Sequence, residues 1–274
     1  MRAHTEKYNR EYAEKLSNIT HEDMATIWGY TEDSIKGEMS VVKTQTNILR
    51  KLCKEAIKNN YRREINYKYS KKTPDSGRMY TDGCSLQNIK KCFRGLLSST
   101  TSIEIDAKNC HPILLLKICK EKNIITNALN AYTTNRDYYI NEFAEAEDIT
   151  PARAKTLFLK TINSSHKITR ATTSKKLIKY TFFLSFDAEI KSLQQKFKDQ
   201  YADEYNIIKQ RERDNHNGKL MARILNIEES LMLKSAVVAL DANDYQVMTE
   251  MFDGLLVDLY TKLGEKIVNN DVVK

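Results

Sequence analysis

Glycine and proline are scarce, with 8 and 3 residues in a chain of 274. Few turns are therefore marked by either residue, and long helices are expected to dominate. The five cysteines (Cys53, Cys84, Cys92, Cys110, Cys119) are odd in number, form no C-x-x-C pair and have no His-rich segment beside them. That pattern argues against a zinc site or a disulfide framework and for a reducing, intracellular and cytoplasmic setting. No run of 18 apolar residues exists, and the first residues, MRAHTEKYNREYAEKL, lack the apolar core of a secretion signal, so no membrane association is expected. There is no G-x-x-x-x-G-K-[ST] phosphate loop, no internal repeat and no low-complexity tract.

What is present describes a folded, basic chain. Hydrophobic residues make up 41% and charged residues 29%, which is too apolar for wholesale disorder. Lys and Arg total 44 against 36 Asp and Glu, a formal charge of +8 that suits a polyanionic partner. Charge runs such as Lys71-Lys72 and Lys175-Lys176 read as solvated faces.

Periodicity organises the chain. Helices are expected from Glu6 to about Asn59, one of them starting near Asp33 with Val41, Val42, Ile48, Leu49, Leu52 and Ile57 on one face. YRREINYKY (61–69) alternates as a strand, KKTPDSG is a loop, GRMYTDG holds a second short strand, and a helix follows from Ser85 to Leu97. SIEID (102–106) alternates as a half-buried strand, and Pro112 opens a helix, since a first-turn residue needs no N–H. From 123 to 216 the pattern is helical throughout. DNHNG (214–218) breaks it, a helix runs from about Lys219 to Ala242, and YQVMTEMF and LLVDLY flank Asp253-Gly254 as a β-hairpin.

Two acids then stand out. Asp253-Gly254 is a favoured type I′ hairpin turn that needs no functional reason, yet its neighbours Met251, Phe252, Leu255, Leu256 and Val257 are apolar, which puts the acid at the end of a buried hairpin. Asp106 ends the strand SIEID; alone it reads as a helix cap or a surface acid. Should the two strands lie side by side, the carboxylates can hold a pair of Mg²⁺ ions roughly 3.5–4 Å apart, the arrangement that activates a hydroxyl and stabilises a pyrophosphate leaving group.

The stretch Gly77-Arg78-Met79-Tyr80-Thr81-Asp82-Gly83-Cys84-Ser85-Leu86-Gln87-Asn88-Ile89 resembles the G-R-L-S-S-x-x-P-N-L-Q-N-I segment of the family A DNA polymerases, and Arg94 matches an arginine shortly after it. IEIDAKNCH (103–111) falls where that family carries its first metal-binding aspartate, and FDGLLV (252–257) is similar in context and order to the hairpin bearing the second. PARAK (151–155) through Asn163-Ser164-Ser165 looks like its fingers helix.

The resemblance implies a template-directed nucleotidyltransferase in which Asp106 and Asp253 hold two Mg²⁺ ions, with Mn²⁺ as a substitute. It also implies that Arg153, Lys155 and His111 meet the nucleoside triphosphate, while Arg78, Gln87 and Arg94 touch the primer-template, DNA or RNA. His111 stands where many relatives have a glutamate that excludes the ribose 2′-hydroxyl, and Phe252-Asp253-Gly254 replaces the usual His-Asp-Glu, so the sugar preference stays open. Arg153 and Lys155 read equally as a solvated helix face, and Asn135-Arg136-Asp137-Tyr138-Tyr139 reads either as a template-side patch with stacking aromatics or, more readily, as a helix surface packing its own tyrosines. Within the family the chain looks like the compact branch of virus and transposon replication proteins, sometimes fused to a helicase, which would make a replicative helicase a partner.

The expected fold is α+β and mainly helical: an N-terminal helical lobe over 1–75, then 76–274 as a small antiparallel palm sheet with a helical fingers-like insertion at about 123–216. A non-catalytic nucleic-acid-binding replication factor and a primase are the alternatives.

Overall fold

The computed structural model of the chain describes residues 2–29, 32–69, 77–170, 177–264 and 266. The expected loop residues Ser70 to Ser76 and the Lys175-Lys176 pair lie outside these. The fold is α+β and mainly helical, with eleven α-helices and two three-stranded antiparallel sheets among the described residues. It divides into two compact units, Met1–Ala107 with Ser230–Lys274, and Lys108–Glu229. The division does not follow the 1–75 and 76–274 bounds, because the N-terminal residues share a unit with the C-terminal hairpin.

In the first unit, β1 (Arg2–Lys7), β2 (Arg62–Tyr69) and β3 (Met79–Thr81) form one sheet in that order. β2 behaves as its alternation requires, burying Ile65 and Tyr67. β1 begins where the sequence suggested helix from Glu6 onward. It has no apolar alternation; its pairing, from Arg2 opposite Tyr67 to Lys7 opposite Arg62, is set by β2, and the side chain it buries is Glu6.

Helices α1 (Arg10–Leu16), α2 (His21–Ile27) and α3 (Glu32–Lys58) follow. Asn9 caps α1, and a Thr20/Asp23 capping box starts α2, satisfying N–H groups that the helix itself leaves unpaired. Along α3, Val42, Leu49 and Leu52 are buried as expected, while Val41 is 47% exposed. The helix expected from Ser85 breaks into a 3-10 turn (Leu86–Asn88) and α4 (Lys91–Ser98), because Ser85 Oγ and Asn88 Oδ1 bond back to Thr81 and Ile89 and Lys90 are extended.

The second sheet of this unit joins β4 (Ser102–Asp106), β6 (Gly254–Asp258) and β5 (Val247–Glu250). Both hairpin strands are buried throughout. Met248 and Leu256 pack into the core of α1 to α4 with Leu86, Phe93 and Leu97, and Val247, Leu255 and Val257 pack with Leu233, Ile103 and Ile105. Burying each such side chain contributes about 1.5–3 kcal/mol. β6 is the central strand and is covered on both faces, which is why LLV reads as a continuous apolar run, while β5 at the edge also buries Thr249 and Glu250.

The second unit is helical: α5 (Cys110–Glu121), α6 (Ala128–Thr134), α7 (Arg136–Glu147), α8 (Pro151–Asn163), α9 (Thr181–Gln200), α10 (Ala202–Arg211) and α11 (His216–Ala242) as far as Glu229. α5 starts two residues before Pro112, which still falls in the first turn, where no N–H is needed. Tyr132, Phe143, Phe158, Phe183 and Phe186 stack at centroid distances of 4.4–5.5 Å to form the core. Asn215, at φ 55°, accounts for the DNHNG break: its side chain binds Asn163 O and Ser165 N–H at the end of α8 just before α11 begins. No helix among the described residues is long and apolar enough to cross a membrane.

Candidate active site

Register brings the two aspartates together along the backbone. β4 pairs antiparallel with β6 so that Asp106 lies opposite Gly254, the residue after Asp253, and Ala107 N–H donates to Asp253 O at 2.8 Å. With strands ~4.8 Å apart and a rise of ~3.4 Å per residue, the two Cα atoms are on the order of 6 Å apart. Both side chains are exposed, so Asp253 reaches solvent from the end of a buried hairpin instead of being enclosed by it.

The turn differs from the expected type I′ Asp-Gly. Met251 N–H donates to Gly254 O at 2.8 Å, which makes Phe252 and Asp253 the two loop residues, and neither has a positive φ. Type I′ and II′ turns are thereby excluded. Gly254 belongs to β6 and is needed for a different reason: a Cβ there would lie 2.6 Å from Ile105 O and 3.2 Å from Asp106 Oδ1. The missing side chain leaves the space that the Asp106 carboxylate uses.

Phe252 holds the turn in place. The Arg78 guanidinium lies 4.7 Å from the centre of its ring, and Tyr80 meets it edge-on at 5.6 Å. Arg78, read from the sequence as a primer-template contact, is thus placed beside the turn that carries Asp253. Gln87 is turned inward and buried: its Oε1 accepts from Thr81 N–H at 3.1 Å, and its Nε2 donates to Met79 O at 3.2 Å and Glu250 O at 3.0 Å. Both amide N–H groups are thus taken up in joining β3 to β5, and neither is left for a nucleic-acid strand. Arg94 is largely covered, donating to Ile89 O at 3.3 Å with Glu104 at 3.6 Å.

Beneath the hairpin runs a buried polar network with no signal in the sequence. Glu6 accepts from Leu86 N–H at 2.9 Å, from Thr249 Oγ1 at 3.0 Å and from the Tyr8 hydroxyl. Burial pushes its carboxyl up to about 7, with those donors and Arg63 opposing. Glu250 N–H donates to the Tyr67 hydroxyl at 2.8 Å, and Glu250 Oε1 meets His4 Nε2 at 2.9 Å. These partners lie up to 246 residues apart, beyond any spacing rule.

The remaining predicted residues belong to the second unit. His111 Nε2 lies 3.2 Å from Oε1 of Glu229, a buried acid that the sequence did not single out. Arg153 and Lys155 are exposed on α8. Two residues apart on a helix they point about 200° from each other, so they do not share a face.

Among the described residues, no group of three or more His, Cys, Asp or Glu is placed to hold a metal ion. Two carboxylates are nevertheless a fitting donor set for Mg²⁺, which prefers hard oxygen ligands and is commonly held by one or two carboxylates with substrate phosphates and water completing its shell. The Gly254 gap beside Asp106 is consistent with that use.

No family model matches the chain. It is similar to a Sputnik virophage protein named "Putative helicase V13", with 33% identity over 98 residues. The matched stretch is 35% of this chain and 13% of that protein, so the chain spans a small part of its relative's length.

Proposed function

We propose that the chain is a template-directed nucleotidyltransferase of the family A polymerase type, which extends the 3′ end of a nucleic acid. The observation that carries this reading is the β4–β6 register, which sets Asp106 beside the turn bearing Asp253 with a glycine between them. Asp106 and Asp253 would hold Mg²⁺, which when bound activates the attacking hydroxyl and offsets charge on the leaving pyrophosphate. The Phe252 clamp and the Gln87 brace fix the turn, so one of the two carboxylates is oriented before substrate arrives. Arg153 and Lys155 leave α8 on opposite faces, so one of them, not both, would supply positive charge for the triphosphate. His111, within 3.2 Å of Glu229, would by the family resemblance be the residue that senses the sugar of the incoming nucleotide.

The likeness to a virophage protein named as a helicase supports a place in replication beside such an enzyme. This chain has no G-x-x-x-x-G-K-[ST] loop, so ATP-driven unwinding would be the work of residues outside it.

Primer extension tests the reading. Wild-type protein with a primed template, Mg²⁺ and either dNTPs or NTPs is expected to incorporate nucleotides. Asp106→Ala and Asp253→Ala should each lose roughly 10³-fold or more in rate while keeping their fold. Binding of nucleic acid with no incorporation under any metal would instead identify a non-catalytic replication factor, and products from unprimed template would identify a primase.

A further inference from the structure

An open depression of about 350 Å³ in the second unit, at the junction of α6 and α7, is lined by Asn135, Arg136, Asp137 and Tyr138 and is separate from the candidate active site. Tyr138 stands on its rim 58% exposed, and Ile113 forms an apolar patch in its lining, 47% exposed. Tyr138 is not a core residue. Its ring is buttressed edge-on by Tyr139 at 5.1 Å, and Tyr139 is itself stacked on Phe182 at 3.7 Å, which fixes an aromatic face toward solvent. Lys108 and Arg136 line the same depression. Both are bridged to exposed Asp137, at 3.4 Å and 2.8 Å. Thr133 and Thr134 also line it, and Asn109 Nδ2 is enclosed and without a hydrogen-bond partner.

The ring and the two cations each answer to one feature of an unpaired nucleotide. An exposed, rigid ring accepts a base by stacking, which needs no particular sequence. Lys108 and Arg136 suit the phosphates on either side of the base. Asp137 occupies the cations while the site is empty and opposes an anionic ligand. We propose that this depression seats an unpaired nucleotide of a single-stranded nucleic acid, stacked on Tyr138 with its phosphates on Lys108 and Arg136. The strand class rests on the proposed polymerase function, but the binding itself needs neither aspartate of the candidate active site.

Fluorescence anisotropy with a labelled oligothymidylate, in the presence of a chelator so that no metal contributes, tests the site. Tyr138→Ala is expected to weaken binding at least about five-fold, and Tyr138→Phe to restore it. Lys108→Ala should reduce the slope of log affinity against log salt by about 0.7, the value for one single-strand phosphate contact. Asp137→Asn should tighten binding, a gain that damage to the fold would not produce. Unchanged affinity in Tyr138→Ala and Asp137→Asn overturns the proposal. A competing mononucleotide triphosphate that displaces the oligonucleotide with the same Tyr138 dependence would also overturn it, by assigning the seat to free nucleotide. Tyr138-dependent binding by a wild-type protein that never extends a primer would sink the polymerase reading alone. Extension with no effect of Tyr138→Ala on strand affinity would sink this one alone.

Discussion

Glu6 carries a carboxyl group with no access to water, enclosed by the Tyr8 and Thr249 hydroxyls and the Leu86 N–H. Its pKa is raised from 4.5 to about 7, so the folded protein favours the protonated form. The stability this provides is fully present below about pH 4.5 and is lost as pH rises through about 7; a shift of that size corresponds to about 3 kcal/mol. Glu6→Gln, which keeps the shape without the charge, is therefore expected to gain on wild type as pH rises. Urea unfolding of both proteins at about pH 5 and about pH 8 checks this, and a variant-minus-wild-type stability that fails to rise between the two would refute it. Glu6 was illegible in the sequence because RAHTEK lacks the apolar alternation that marks a strand, and its one buried side chain is an acid satisfied by partners remote along the chain. Asp106 was legible for the opposite reason: SIEID alternates, and the acid falls where the alternation ends. Gly254 was noticed with the wrong explanation, since Asp-Gly is a local turn signal while its actual constraint is the Ile105 carbonyl of a neighbouring strand. Gly254→Ala should destabilise the protein by about 1–3 kcal/mol in thermal unfolding and abolish primer extension, because the Cβ meets backbone that cannot move aside.

Elements with strong internal signals were readable from the sequence: α3 from its apolar face, β2 from alternation, and the β5–β6 hairpin from two apolar runs. Elements started by other elements were not. The N-terminus of α6 is satisfied by Glu189 of α9, whose carboxylate accepts from Asn127, Ala128 and Leu129 N–H at 2.8–3.0 Å. Glu147, at the end of α7, receives Lys179 and Tyr180 N–H at the start of α9. Neither helix has a side-chain cap of its own, so no local motif announces where it begins. Glu189→Ala is expected to cost about 1–3 kcal/mol by leaving these amides unpaired, measurable by thermal unfolding; no change would show that water replaces the carboxylate. Gln87 makes the same point for the hairpin. Its place in a polymerase-like motif suggested nucleic-acid contact, and its bonds instead join β3 to β5. Gln87→Ala should lower stability by roughly 2 kcal/mol and slow extension without changing affinity for primer-template, whereas a loss confined to affinity would restore the contact role.

On the scale of the whole molecule, the mainly helical α+β composition followed from few glycines and prolines, and the helical insertion from unbroken periodicity over 123–216. The unit boundaries did not, because Glu229 falls within the continuous helix α11 and Lys108 in the short step between β4 and α5, which carries no linker signal. What joins distant parts of the chain into a candidate site is pairing, and pairing is the quantity a single sequence specifies least. In the proposed function, Asp106 and Asp253, far apart in the sequence, share divalent cations. Iron-directed cleavage tests it most directly: Fe²⁺ substituted for Mg²⁺, with ascorbate and peroxide, cuts the backbone beside whatever binds it. With a nucleoside triphosphate and primed template present, the account predicts cuts near both Asp106 and Asp253, each lost when either residue is changed to Ala. Cuts at only one of them, or at neither, would contradict it.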